Sequence, residues 1–369
     1  MKSADCLSTA AAPEGRAAPL VVLAPHALRR LSGRPARYLD PLPMPACGRA
    51  LIGATFEDDE ELEREYIRRQ TGALRRMRAS LGLIFRNRGA LRQADMIYCL
   101  DGMHYNLLLL LARAGLFRAR GKIIRRLAFH DSILKTLAPL LKKAAGGFQI
   151  EFISHEQCAR AAGQIAAERV VHRTWKIDCE WYHPPAVVAA EGPALLTGNA
   201  SRDDAMVDGL LQRGMRVTRI GRSDRLAARF AAHEANPNFR LITNASHVVY
   251  REVLQASSVV LLPILECDDP AGMTAALESM ASGIPVIANR SMGLSELFAA
   301  CEYPVAMMEN RDPEAWAGAI REVQQKLKSP DFTAALGRAR EFLLKHHHVL
   351  PGGEDWSEVH RAACEPRMP

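Results

Sequence analysis

The stretch Asp268–Asn289, DDPAGMTAALESMASGIPVIAN, sets two carboxylates and a Pro-Ala-Gly turn ahead of a run with helical period, then re-enters the core through a strand-like PVIAN. That order suits an anion. Unpaired N–H groups at a helix start, backed by the macrodipole, attract a phosphate by roughly 0.3 to 2 kcal/mol. The amides of Ala271, Gly272, Met273 and Thr274 would then cradle a diphosphate, with Gly272 allowing a close approach. Glu278 falls one turn deeper on the same mouth, where it would accept hydrogen bonds from ribose hydroxyls. The same text also suits a plain strand-helix-strand unit whose helix ends at Gly283.

Further candidates stand at other expected strand ends. RLAFHDS places His130 and Asp131 after a strand, TGNASRDD places Gly198, Asn199 and Arg202, and IGRSDR places Arg222. No Gly-x-Ser-x-Gly elbow, Walker loop or His-Glu-x-x-His accompanies them. His346, His347 and His348 are consecutive, and neighbours on a helix point about 100° apart, so they are not read as a metal site. The acid run Glu57–Glu65 reads as an exposed charged helix.

These residues need a scaffold, and 369 residues with 48% hydrophobic content can supply one of two domains. Short apolar runs alternate with longer segments of helical period, which is the pattern of an α/β protein with parallel sheets. The first half offers LVVLAP, MIYCL, IIRRLAF and FQIEFIS as strands, with helices over Glu60–Arg88, Asn106–Ala114 and Glu156–Ala167. After YHPPAVVAAEGP, read as a linker, ALLTG, RVTRIG, FRLIT, VVLLPI and PVIAN continue as strands. The expected division is a tail over 1–18, a first domain over 19–185, a linker over 186–193, a second domain over 194–335, and helices over 336–369 that pack back on the first domain. Two doubly wound domains facing across a cleft follow, with ligands at the carboxyl ends of the strands.

Eight scattered cysteines without a Cys-x-x-Cys pair suit reduced thiols in a cytoplasm. The net charge of +7 is concentrated between Glu61 and His130. Solvated helix faces, a dock for anionic headgroups or a phosphorylated acceptor, and nucleic acid all suit that surplus; no interleaved aromatics support the last.

The run AGMTAALESMASGIPVIANRSMGLSELF resembles the most recognisable segment of nucleotide-sugar glycosyltransferases with the GT-B fold, of the retaining family-four type. RTWKIDCEWYHPP is similar to the stretch that closes their acceptor domain, ALLTGNASRDDAMVDGLL to the first strand and helix of their donor domain, and GEDWSEVHRAA to their closing helix. The resemblance implies that Glu278 binds the donor ribose and that Ala271 to Thr274 meet the diphosphate. Pro270 stands where the family has its first glutamate, which leaves Asp268 or Asp269 to contact the donor sugar. Asn199 stands where the family has an arginine, so Arg202 or Arg222 would neutralise the departing diphosphate, and His130 would lie against the sugar.

The expectation is a metal-independent hexosyltransferase without a resident cofactor. It would take a nucleotide diphosphate sugar and a glycan, lipid-linked or small-molecule acceptor, with retention. It would work in the cytoplasm, with peripheral contact at the inner membrane face. Two alternatives are a catalytically inactive GT-B-like scaffold that binds nucleotide sugars or glycans, and a basic protein of membrane surfaces or nucleic acid.

Overall fold

The computed structural model describes residues 20–23, 50–52, 73–99, 102–130, 132–144, 146–198, 201–221, 224–267 and 269–349. Asp131, Asn199, Arg222, Asp268, the acid run at 57–65, the tail over 1–18 and the stretch beyond 349 lie outside them.

Among the described residues the first domain forms a sheet of six parallel strands in the order β2-β1-β3-β4-β5-β6. They are β1 (Leu20–Leu23), β2 (Ala50–Ile52), β3 (Met96–Cys99), β4 (Ile123–Leu127), β5 (Gly147–Phe152) and β6 (Val170–His172). Helices α1 (Ala73–Arg86), α2 (Arg88–Gln93), α3 (Gly102–Arg113), α4 (Ile133–Leu141) and α5 (His155–Ala162) accompany it. The second domain has five parallel strands, β7 (Ala194–Thr197), β8 (Val217–Gly221), β9 (Phe239–Thr243), β10 (Val259–Leu262) and β11 (Val286–Ala288), in the order β11-β10-β7-β8-β9. Its helices are α6 (Ala205–Gln212), α7 (Asp224–Phe230), α8 (His247–Gln255), α9 (Met273–Ala281), α10 (Leu294–Ala300), α11 (Pro313–Lys326) and α12 (Pro330–His346).

Strands covered on both faces have no polar side to alternate with, so they read as unbroken apolar runs. β10, VVLL, and β11, VIA, are buried at every position. β4, IIRRL, departs from that rule, and its neighbours explain how. Arg125 lies buried against Glu151 of β5 at 3.0 Å, and Tyr98 of β3 donates to the same carboxylate at 2.6 Å. Arg173, just after β6, adds a second cation at 2.5 Å. A charge can be interred here because each of its neighbours is a hydrogen-bonding partner.

In the second sheet the chain order reverses between β7 and β10, so the crevice for a ligand opens outside their carboxyl ends. The loops leaving these strands are tied together there. Asp203 N donates to Pro263 O and Leu265 N to Ser201 O, both at 2.8 Å.

The carboxyl-terminal segment is described as far as Val349, and the helices expected beyond it lie outside the described residues. No break occurs at 336: α12 is continuous from Pro330 to His346 and packs on α9, with Phe332, Leu336, Ala339 and Leu343 buried in the core of the second domain. The histidines are not on one helix either. α12 stops at His346, and the chain turns to pair with the interdomain connector, where Ile177 N donates to His347 O and Val349 N to Ile177 O. His347 and His348 satisfy backbone groups of Trp175 and Cys179.

Candidate donor-binding site

Helix α9 starts at the expected place, but of the four amides read as a cradle the Met273 amide is already engaged. Gly272, its N-cap, has φ of 89° and, being a glycine, offers no side chain to cap the helix. Met273 N closes the turn onto Pro270 O at 3.3 Å, whereas the amides of Gly272, Thr274 and Ala275 have no acceptor among the described residues. The glycine answers to packing as well as to its left-handed backbone. A Cβ at Gly272 would point inward, 2.8 Å from Ile264 Cδ1 and 3.2 Å from Leu294 Cδ1, so the freedom it provides is turned toward the core.

Glu278 lies half-buried one turn along, and Tyr182 Oη donates to its Oε1 at 3.0 Å. Tyr182 comes from the connector between the domains and Tyr250 from α8. Burial first, then the Glu278 charge, holds the Tyr250 hydroxyl protonated well above the usual phenol range. Two phenols therefore flank the carboxylate, and their rings meet edge to face at 6.3 Å.

Asp269 and His130 meet across the cleft. His130 Nδ1 lies 3.2 Å from Asp269 Oδ2, with the histidine mostly exposed and the aspartate nearly buried. Cys267 Sγ donates to the other oxygen of Asp269 at 3.1 Å. Trp175 makes the second bridge: its Nε1 donates to Thr274 Oγ1 at 3.1 Å, while its ring packs edge-on against Phe129 at 5.6 Å. The Thr274 hydroxyl is thus engaged by the connector, and the Thr274 amide is not.

Arg202 is buried beside the same mouth. Its Nε donates to Thr197 O at 2.7 Å, and the guanidinium lies over Gly198, where a Cβ would come within 2.5 Å of Nη2. Burial, then the Arg219 charge, lowers its pKa to about 10, against opposing pulls from Tyr250, Cys267 and Asp269. It remains a cation at neutral pH. Arg219 of β8 fixes this loop from beneath, donating to Asp204 Oδ1 at 2.8 Å and to Gly198 O at 2.9 Å.

Of the sequence candidates, the structure gathers His130, Asp269, Arg202, Gly198, Glu278 and Ala271 to Thr274 around one mouth. Asn199 and Arg222 lie outside the described residues. Tyr182, Tyr250, Trp175 and Arg219 were not singled out. Only the aromatic pair Trp181-Tyr182 carried a signal, as part of the motif ending the first domain. Among the described residues no three His, Cys, Asp or Glu side chains are placed to hold a metal ion.

Two facing doubly wound domains, with the switch point of the second opening into the cleft, are the GT-B architecture, and residues 204–326 match the family model described as Glycosyl transferases group 1. A glycosyltransferase is the class that this fold and this domain define. More particularly, the chain is similar in fold to sucrose-phosphate synthase from Thermosynechococcus elongatus, with a TM-score of 0.62 at 15% identity over 94% of this chain and 98% of that one. OtsA gives 0.60 at 12% identity over 95% and 100%. WaaG, a glycosyltransferase involved in lipopolysaccharide biosynthesis, gives 0.50 at 12% identity over 87% and 88%. No curated protein matches in sequence.

Proposed function

We propose that the protein moves a hexose from a nucleotide diphosphate sugar to an acceptor hydroxyl with retention of configuration, in the cleft between its domains. The reading is carried by one arrangement: helix α9 presents the amides of Gly272 and Thr274 to the mouth while Glu278, one turn behind, is held by Tyr182. The amides take the diphosphate and Glu278 takes the ribose. Arg202 supplies positive charge against the leaving group, and His130 with Asp269 orients the sugar. Position and electrostatics do the work, so no covalent nucleophile and no metal enter the mechanism. The acceptor, a glycan or a lipid-linked hydroxyl, enters from the first domain, in the cytoplasm at the inner membrane face.

The test is a thermal-shift panel of UDP-, GDP-, ADP- and CMP-sugars. A ligand at a hundred times its dissociation constant stabilises the fold by about 2.7 kcal/mol. One nucleotide class should raise the melting temperature of the native protein and leave Glu278→Ala unmoved; a panel without any shift would overturn the reading. Pro270, in place of the first glutamate, favours a second reading, a scaffold that binds the donor without turnover. Hydrolysis of donor in the absence of acceptor, lost in Glu278→Ala, separates the two.

A further inference from the structure

Two helices of the first domain carry a surface that the transfer reaction does not use. Leu74 and Phe85 of α1 are 69% and 52% exposed, and Leu110 and Leu116, at and just beyond the end of α3, are 49% and 69% exposed. α1 lies against α3, so these four side chains stand on or next to two neighbouring helices of the domain. At about 100° per residue, Leu74, Arg78 and Phe85 fall within roughly 40° of arc on α1, a stripe beside the flank on which Ile84 is buried.

Around the leucines and the phenylalanine stand exposed arginines: Arg78, Arg86 and Arg88 on α1 and α2, and Arg113, Arg118 and Arg120 at the end of α3. Among the described residues none of the six forms an ion pair; Arg86 and Arg113 donate only to the backbone carbonyls of Gly82 and Leu140. From Ala73 to Lys122 the sequence offers only Asp95 and Asp101 as acids.

We propose that this face, α1 with the carboxyl end of α3, docks the protein on an anionic lipid bilayer, Leu74, Phe85, Leu110 and Leu116 entering the headgroup boundary and the arginines pairing with lipid phosphates. At a membrane interface exposed apolar side chains enter the acyl boundary while neighbouring cations meet the lipid phosphates, which is the mixture this face presents. A second copy of the chain on this face would set one arginine field against another. Nucleic acid would satisfy the arginines and leave three exposed leucines in water, with Phe85 the one aromatic available for stacking. The proposal supplies the surface for the inner-face location proposed above, does not depend on the donor site, and is tested without any donor.

The experiment is co-sedimentation of the full chain with vesicles of phosphatidylcholine alone and of phosphatidylcholine mixed with phosphatidylglycerol. Binding is expected to the mixed vesicles only, weakening with added salt. Leu74→Ser with Phe85→Ser should lower the partition coefficient about tenfold. Separately, Arg78→Gln with Arg86→Gln should lower it about fivefold for each charge. Both pairs are solvent-exposed, and a thermal melt of each checks that it folds; the two pairs are independent, so a folding defect in one leaves the other decisive. Absence of binding to the mixed vesicles at low salt, equal binding to both vesicles, or variants that bind like the native chain would overturn the proposal. So would a dimer in light scattering that the apolar pair dissolves, or tighter binding to RNA than to the mixed vesicles.

Discussion

Tyr182 Oη donates a hydrogen bond to Glu278 Oε1 at 3.0 Å, joining the connector between the domains to the helix that offers its amides to the cleft. The phenol is buried and fixes the carboxylate at the depth where a pentose would sit. Tyr182→Phe keeps the ring and removes the donor. It should weaken binding of the nucleotide diphosphate by about fivefold to tenfold, the net value of one hydrogen bond to a charged group whose other side is still hydrated. Calorimetric titration of the nucleotide against both proteins checks this; equal affinities would show that Tyr182 only fills space.

His130 and Asp269 should behave as a pair. Asp269→Asn leaves a neutral side chain of the same shape opposite His130, so the imidazole loses its charged partner without a cavity forming. Turnover should fall about a hundredfold, the penalty for losing orientation at a reacting centre. Affinity for the free nucleoside diphosphate should change little, because the proposal assigns this pair to the sugar and the amides of α9 to the phosphates. A parallel fall in nucleotide affinity would move Asp269 from the sugar to the phosphates.

The contrast between these residues and their elements shows what sequence could carry. β7, β10 and β11 were legible because strands buried on both faces must be apolar throughout. The turn before α9 was legible because glycine at positive φ is a chemical signature. β2 and β6 were missed; β6, VVH, has no fully buried position to impose an apolar run, and α4 was passed over because Pro139 interrupts its period. The expected helix over 106–114 begins earlier, at Gly102, where a side chain would collide with the guanidinium of Arg126. Tyr182 could not be connected to Glu278 by spacing at all, since 96 residues separate them and only the folded connector brings them together. Arg219 was invisible for a similar reason: a lone arginine in a strand reads as an edge residue until Asp204 is seen beneath the loop.

That arginine supports the third prediction. Arg219 is almost wholly buried, with Asp204 Oδ1 at 2.8 Å and the carbonyls of Gly198 and Ile220 as further acceptors. Arg219→Met fills most of the volume but strands those carbonyls and the aspartate. Breaking a buried pair costs roughly 3 to 5 kcal/mol; here Asp204 reaches solvent, so about 3 kcal/mol is expected in a urea melt. Nucleotide affinity should fall as well, because the same loop presents Arg202. A variant as stable as the native chain would mean the loop holds its shape without the cation.

The last prediction concerns acid. Ser154 Oγ and the amides of His155 and Glu156, at the start of α5, all donate to the Glu296 carboxylate of the other domain at 2.9 Å. The ring of His155 stacks on His172 with centroids 3.7 Å apart. Burial, then the His155 charge, lowers His172 to about 4. Between that value and the ordinary 6.5 the unfolded chain binds more protons than the folded one, so this contribution is complete above pH 6.5 and is lost as pH falls toward 4. Burial alone would raise the pKa of Glu296, but the two amides and the serine hydroxyl outweigh it and hold it below its ordinary value. Its contribution is present above the unfolded pKa and disappears as pH falls through the lower folded one, which is the same direction. His172 as a residue is exposed even though its ring is covered by His155, so its share is no more than about 1 kcal/mol. Thermal melts of the native chain and of His172→Gln at pH 7 and near pH 4.5 should show the native chain losing more stability between the two conditions than the variant does. Equal losses would place the acid sensitivity elsewhere than at His172, leaving Glu296 as its source in both proteins.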